Sequence, residues 1–359
     1  MNSIGKNIVL TLFGESHSET IGAVLDGMPC GIMVDERFIA ESLAARRPSG
    51  VNETARVEKD EFKIASGVFN GYTTGEPICI LISNSNVRSS DYGEMRFLAR
   101  PSHADYVSHV VHKGFEDYRG GGHFSGRLTA PIVAAGAICR QLLESRGILV
   151  GTHILVCGKA EDKPFNSVQA VLDEEIRKVN GKKFPVIGDV EETMVAEIDA
   201  VRMNQDSIGG IIQTAISNLP VGVGEPWFGS VEGTIANAMF SVGGIKGVEF
   251  GAGFGFSNLT GRTGNDEFYN DNGVVKTYTN NNGGVNGGYS NGMPVVFNCA
   301  VKPTPSIAAP QRTVNMQSLE NETLCIKGRH DPAIIRRICP VVTALTSIVV
   351  CDMLKTAGR

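Results

Sequence analysis

Arg119-Gly120-Gly121-Gly122-His123-Phe124-Ser125-Gly126-Arg127-Leu128-Thr129 is followed almost at once by PIVAAGAICRQLLES, residues 131–145. The second stretch has the composition of a mostly buried helix. The first is the turn that leads into it. Three consecutive glycines let a backbone approach a ligand closely, because no Cβ intervenes. A helix N-terminus adds free N–H groups and the positive end of a dipole. Arg119 and Arg127 bracket the turn with permanent charge and forked donors. The segment therefore predicts an anion site, most simply for phosphate. A solvated surface turn is the plainer reading, and it loses weight because similar segments recur along the chain.

On the N-terminal side, residues 6–12 and 20–33 predict strands around a loop containing Gly14-Glu15-Ser16-His17. Residues 35–46 have helical spacing with an acidic start and a basic end. Residues 62–69 and 77–83 predict strands separated by a Gly-Tyr-Thr-Thr-Gly turn, and 104–113 a helix. On the C-terminal side, 148–158 predicts a strand, and 168–179 and 191–204 predict helices. Residues 208–217, 247–256 and 294–301 predict strands, and 230–239 a short helix. Residues 258–282 read as one long loop. Residues 332–354 predict a final apolar helix interrupted by Pro340. This is an α+β pattern in one unit spanning 1–359, with two halves similar in style but no short repeat.

The chain has 359 residues, 42% of them hydrophobic, enough for a large core. A net charge of −5 argues against a generic nucleic-acid binder. No run of eighteen apolar residues indicates a membrane span. The N-terminus lacks a signal-peptide pattern, and the eight cysteines form no CxxC pair and mostly sit in apolar contexts, so they read as reduced core thiols of a cytoplasmic protein.

His17, His103 and His330 each lie in a polar loop with charged or hydroxyl neighbours, which suits acid–base work near neutrality. His123 belongs to the glycine loop. His153 reads as structural. So do His109 and His112, since no Cys or carboxylate pair completes a metal site. Arg46, Arg100, Arg119, Arg127 and Arg329 fall at the same loops, so an overall acidic chain would carry a local basic pocket for an anionic small molecule. Lys302-Pro303-Thr304-Pro305-Ser306 offers a cation and two hydroxyls on stiff backbone, again suiting phosphate. Common fingerprints fail. Phe256 occupies the third glycine position of GxGxxG, and no Walker lysine is present. The GxSxG match at 288–292 leads into a strand, which is the wrong context for a nucleophile elbow.

Together these residues resemble the chorismate synthase family. The resemblance rests on GESHSETIGAVLDGMPCGI (14–32), RRPSG (46–50), SGVFNGYTTGEPI (66–78), RPSHADY (100–106) and DYRGGGHFSGRLTA (117–130). It continues through DSIGG (206–210), GVGEPWF (222–228), GIKGVEFGAGF (244–254), NNGGVNGGYSNGMP (281–294), KPTPSI (302–307) and GRHDP (328–332). It implies a β-α-β sandwich with long helices between two antiparallel sheets, with room for internal pseudo-symmetry, assembled as a homotetramer. It implies 1,4-elimination of phosphate from 5-enolpyruvylshikimate 3-phosphate in the presence of reduced FMN, with NADPH as a candidate reductant.

By motif, His17 resembles the histidine beside the reduced flavin, His103 the one near substrate oxyanions, and Asp331 the carboxylate that removes the proton. Arg46, Arg100, Arg127 and Arg329 would clamp substrate, Arg329 also lying near the flavin. His123, Phe124, Ser125, Gly243, Gly244, Gly287 and the turn Lys302, Pro303, Thr304, Pro305 and Ser306 would hold FMN. Departures are His123-Phe124 for a frequent Arg-Ser pair, Leu128 and Thr343 where Glu is common, Asn52 where some members have Arg (Arg56 being a substitute), and Ser102 for Gly. A non-catalytic flavin binder and an ordinary flavin oxidoreductase are the rival readings. Retention of His17, His103 and Asp331 opposes the first, and the missing dinucleotide fingerprint opposes the second.

Overall fold

A computed structural model describes residues 1–48, 60–84, 96–167, 169–326 and 331–359. The first half builds one antiparallel sheet from β1 (Ser3–Ile4), β2 (Val9–Phe13), β3 (Thr20–Asp26), β4 (Phe62–Ser66) and β7 (Ile78–Ser83). A small hairpin, β5 (Val68–Phe69) and β6 (Tyr72–Thr73), hangs from it, and the strand order is β1-β2-β3-β7-β4. Between β3 and β4 lies α1 (Glu36–Arg46), whose N-cap Asp35 accepts from the amides of Arg37 and Phe38. Next come α2 (Asp105–Val111) and α3 (Thr129–Ser145).

The second half builds another antiparallel sheet from β8 (Leu149–Cys157), β9 (Ala160–Glu161), β10 (Gly210–Ser217), β11 (Ile245–Phe250) and β16 (Val295–Val301), in the order β11-β16-β10-β8-β9. Its helices are α4 (Gln169–Asn180), α5 (Glu191–Met203), α6 (Val231–Ser241), the single turn α7 (Gly261–Gly264) and α8 (Ile335–Thr356). Small hairpins are β12 (Phe268–Asp271) with β13 (Val274–Thr277), β14 (Val285–Asn286) with β15 (Tyr289–Ser290), and β17 (Gln311–Val314) with β18 (Asn321–Leu324).

Layering follows from which faces are apolar. In β3, Ile21, Ala23 and Leu25 alternate inward and meet α3. α8 packs on β8 and β10 from the other side, and α3 and α8 lie against each other, so helices fill the space between the sheets. β8 does not alternate: α8 covers one face and α4 the other, which is why LVGTHILVC is buried almost throughout. α8 is long and apolar enough to cross a membrane, yet 89% of its most apolar window is buried within the fold, so its hydrophobicity is that of a core helix. The architecture matches the sandwich implied by the resemblance.

The α3–α8 contact depends on Gly136. A Cβ there would sit 2.4 Å from Ala344 Cβ and 2.5 Å from the Ala344 carbonyl oxygen. Backbone cannot yield as a flexible side chain does. Gly136→Val is therefore expected to cost about 1–3 kcal/mol or more from overpacking, read as a lowered thermal or urea midpoint. An unchanged midpoint would show that the helices separate freely. The chain ends are joined as well: Asp352 on α8 accepts from the amides of Lys6, Asn7 and Ile8 at 2.9, 2.6 and 2.8 Å.

Four expectations need correction. The strand expected over 20–33 ends at Asp26, because Gly27 turns the chain with φ +82°. The strand expected over 247–256 is Ile245–Phe250, because Gly251 and Gly253 take positive φ. A Cβ at Gly251 would lie 1.9 Å from the Asn281 carbonyl oxygen, so that turn admits only glycine. Residues 258–282 are not one loop but contain α7 and the β12–β13 hairpin, turned by Asn272-Gly273. Not all the cysteines are core thiols: Cys30 and Cys325 are exposed and Cys79 is half-buried, while the other five are buried.

Candidate active site

The glycine loop is held open by three successive positive φ values, +60°, +87° and +54° at Gly120, Gly121 and Gly122. Each glycine faces a neighbour that a side chain would displace. A Cβ on Gly120 would fall 2.4 Å from His17 Cε1, and one on Gly121 3.2 Å from His103 Cε1. One on Gly122 would fall 2.1 Å from the Asp117 carbonyl oxygen. The loop therefore lies between the two histidines and touches both. Ser16 N donates to Gly122 O at 3.0 Å, and His123 Nδ1 donates to Gly14 O at 2.8 Å, so the His17 loop is clasped from both sides. Ser125 caps the following turn through Arg127 N, and Phe124 is half-exposed.

His103 is oriented by Asp105. Nδ1 and Asp105 Oδ1 are 2.7 Å apart, and Asp105 also takes a two-pronged bond from Arg100, Nε and Nη2 each at 2.7 Å. Burial alone would raise the Asp105 carboxyl, but the bonds from Arg100 and His103 outweigh it and hold it well below the ordinary carboxylate range. An ionised carboxylate only accepts, so Nδ1 donates to it although Arg100 Nη2 also lies 3.1 Å from that nitrogen, and Nε2 lies on the Gly121 side of the ring. Arg119 likewise makes a two-pronged bond to Asp117, at 2.7 and 2.8 Å, which depresses that carboxyl. In both arginines Nη1 stays outside the pair.

A second cluster is centred on Asp60, whose side chain is fully buried. Arg46 Nη2 donates to it at 3.0 Å, Arg127 Nη1 donates to its other oxygen, and Arg47 Nε lies 3.9 Å away. Arg127 also donates to Asn84 Oδ1 at 3.0 Å and Ser83 O at 3.3 Å. Asn84 in turn donates to Glu15 O and Ser18 O, in the His17 loop. From the other direction, Arg337 pairs with Asp331 and donates to Arg46 O at 3.1 Å, while Arg336 caps the last carbonyls of α1 at Ala45 and Arg47. Asp331, Arg46, Arg127, His17 and His103 thus belong to one connected set of loops.

The 302–306 turn joins it. Lys302 Nζ donates to Ser102 O at 2.6 Å and Lys302 N to Gly244 O at 2.9 Å. Ser102 stands where glycine is frequent and keeps the left-handed φ of +57°. Burial and the neighbouring Lys246 ammonium pull the Lys302 amine below its usual value. The Thr304 hydroxyl is buried with no hydrogen-bond partner among the described residues. Gly243 has nothing within 4 Å of where a Cβ would stand. Two amines, an orphan hydroxyl and open backbone suit the phosphate of a nucleotide cofactor such as FMN. Gly287 likewise has nothing within 4 Å of where a Cβ would stand, and the neighbouring Gly288 faces Glu225 and Ser230. Arg329, His330, Asn52 and Arg56 lie outside the described residues.

Several residues absent from the sequence-based set organise this site: Asp60, Asn84, Asp105, Asp117, Lys246, Arg336 and Arg337. Asp105 and Asp117 had local signals, Asp105 two residues after His103 and Asp117 two residues before Arg119. Asp60 reaches 14 residues to Arg46 and 67 to Arg127, Asn84 reaches 43 to Arg127, and Arg336 and Arg337 lie in a helix that reads as core. Thr343 donates to Thr152 Oγ1 at 2.8 Å, and Ser290 of the GxSxG match is spent on Pro220 O and Val223 N.

A profile of the chorismate synthase family matches residues 8–354. A chorismate synthase from Thermococcus kodakarensis is 43% identical over 350 residues, covering 98% of this chain and 96% of that protein. One from Chitinophaga pinensis is 43% identical over 359 residues, covering 100% and 98%. A crystal structure of chorismate synthase superposes with a TM-score of 0.78 at 27% identity, covering 99% of this chain and 93% of that one.

Proposed function

The chain belongs to the chorismate synthase family, a lyase converting 5-enolpyruvylshikimate 3-phosphate to chorismate in the shikimate pathway, and from that premise we propose how its residues divide the work. The observation that supports the division is the glycine loop in contact with both His17 and His103. The substrate's phosphate and carboxylates lie near Arg100, whose Nη1 remains outside its pair with Asp105. Arg46 and Arg127, held by Asp60, bound the pocket and add positive field; Arg329 is assigned to substrate by its motif alone. His103 Nε2 stabilises the phosphate as its bond to carbon breaks. Asp331 takes the C6 proton as the new double bond forms, and Arg337 holds its carboxylate in place.

Reduced FMN, when bound, supplies electron density to the substrate as phosphate leaves and recovers it on proton loss, so no net oxidation occurs. Lys302, Thr304, Ser306 and Gly243 would hold its phosphate, with Pro303 and Pro305 stiffening the turn. Gly244, His123, Phe124 and Ser125 shape the approach. His17, beside the glycine loop, would stand next to the flavin ring. Gly287 is assigned to the cofactor by its motif alone, and a homotetramer of single-domain chains in the cytoplasm is what the resemblance implies.

Purified protein given 5-enolpyruvylshikimate 3-phosphate and photoreduced FMN under anaerobic conditions is expected to form chorismate catalytically, read by its ultraviolet absorbance and by phosphate release. Folded protein that yields neither product would overturn the reading. Adding NADPH and oxidised FMN without a reductase tests the reductant: bleaching of the flavin assigns reduction to this chain, and a flat trace assigns it to a separate reductase.

A further inference from the structure

We propose that the cavity where α1, α3, α4 and α8 meet is a second binding site, for a small organic anion with a flat apolar body. The cavity has a volume of about 360 Å³, within the range of small-molecule sites, roughly 300–1,000 Å³. Phe38, Val133, Ala137, Ile176, Pro185 and Cys339 give it apolar walls. Its polar wall atoms from Thr343 and Thr152 satisfy each other, and Thr152 also bonds Thr214 at 3.0 Å, so they ask nothing of a ligand.

The charge is uneven. Five basic side chains line the space against two acidic ones, Glu41 and Glu144. Three of the five are engaged within the protein. Arg140 lies over the Phe38 ring, 4.9 Å from its centroid, and pairs with Glu144 at 2.8 Å. Lys182 donates to Val186 O at 2.8 Å, and Arg336 caps α1. The Arg177 and Lys183 side chains have no hydrogen-bond or ion-pair partner among the described residues, although the Lys183 carbonyl accepts from Arg336 Nη1 at 3.3 Å. An apolar slot with two uncompensated cations at its exposed edge matches a ligand whose ring enters and whose carboxylate stays outside. A neutral ligand would leave the cations unused, and inorganic phosphate would leave the apolar walls unused.

The site is distinct from the histidine loops, none of whose residues line it. It is nevertheless coupled to them by position. Arg336 lines the cavity and also holds the last carbonyls of α1, the helix that ends in Arg46.

Isothermal titration calorimetry with 2-naphthoate tests this on the intact protein. Saturable binding is expected at one molecule per chain. Arg177→Glu with Lys183→Glu should weaken it at least tenfold, while Lys159→Glu, an exposed control, leaves it unchanged. The neutral 2-naphthylmethanol should bind at least tenfold more weakly than the anion. Arg100→Gln should not affect naphthoate binding, since Arg100 belongs to the other cleft. The proposal is overturned if no saturable binding occurs, if the doubly reversed protein or the alcohol binds equally well, or if Arg100→Gln abolishes the signal. Both reversed residues are exposed, so folding should survive. If a melting curve shows otherwise, Lys183→Gln alone carries the same test with a smaller expected loss.

Discussion

Asp331→Asn is expected to lower kcat by roughly a hundredfold to ten-thousandfold, the usual contribution of a positioned acid or base. The change is conservative in every other respect. Asparagine keeps the volume, and its carbonyl oxygen can still accept from Arg337, so the loop before α8 retains its anchor. The neighbouring Pro332 carbonyl also stays tied, accepting from Ile208 N at 2.8 Å. What disappears is the capacity to accept a proton. The loss should therefore fall on kcat at saturating substrate with an unshifted melting midpoint. Arg337→Lys separates positioning from chemistry: the charge remains but the planar fork is lost, so a smaller fall is expected, with kcat still above that of Asp331→Asn. A turnover number for Asp331→Asn equal to that of the parent would remove the carboxylate from the reaction and leave His17 and His103 as the acid–base candidates among the described residues.

The elements that could be read in the sequence are those whose signal is local. α1, α3, β7, β8 and β16 follow from apolar spacing, an acidic N-cap and short strand-like runs, and each was placed within a residue or two. The β12–β13 hairpin also had a local signal, Asn272-Gly273 between Phe268–Asp271 and Val274–Thr277, but the polar composition around it concealed the two-residue turn. The sheet partners had no such signal. Nothing in LVGTHILVC states that α8 covers one face of it and α4 the other. The site divides in the same way. His17, His103 and the glycines announce themselves through polar loops and freedom at φ. Asp60 does not, because a single Asp after a run of charged residues reads as surface until Arg46 and Arg127 close on it from two different helix ends.

That burial sets the second large effect, which falls on stability. Asp60→Asn is expected to destabilise the fold by about 3–5 kcal/mol, the cost of leaving buried charge uncompensated when one partner is removed. The substitution is close to a pure charge deletion. Asp60 has φ +49°, a left-handed conformation that Asn adopts as readily as Asp, so the backbone need not shift. The Arg46 and Arg127 side chains are 2% and 5% exposed, so water cannot take over the role of the lost carboxylate. Desolvation and attraction nearly cancel while the set is intact, so removing both charges together should be milder than removing one. Asp60→Asn combined with Arg46→Met should therefore recover part of the loss, and a urea titration of the four proteins in the cycle measures the coupling. If the single variant unfolds at the parent's midpoint, the cluster is hydrated and its arginines are free to turn towards substrate. If the double variant is worse than the sum of its parts, Arg46 is held chiefly by its other contacts, and Asp60 is not what sets its position.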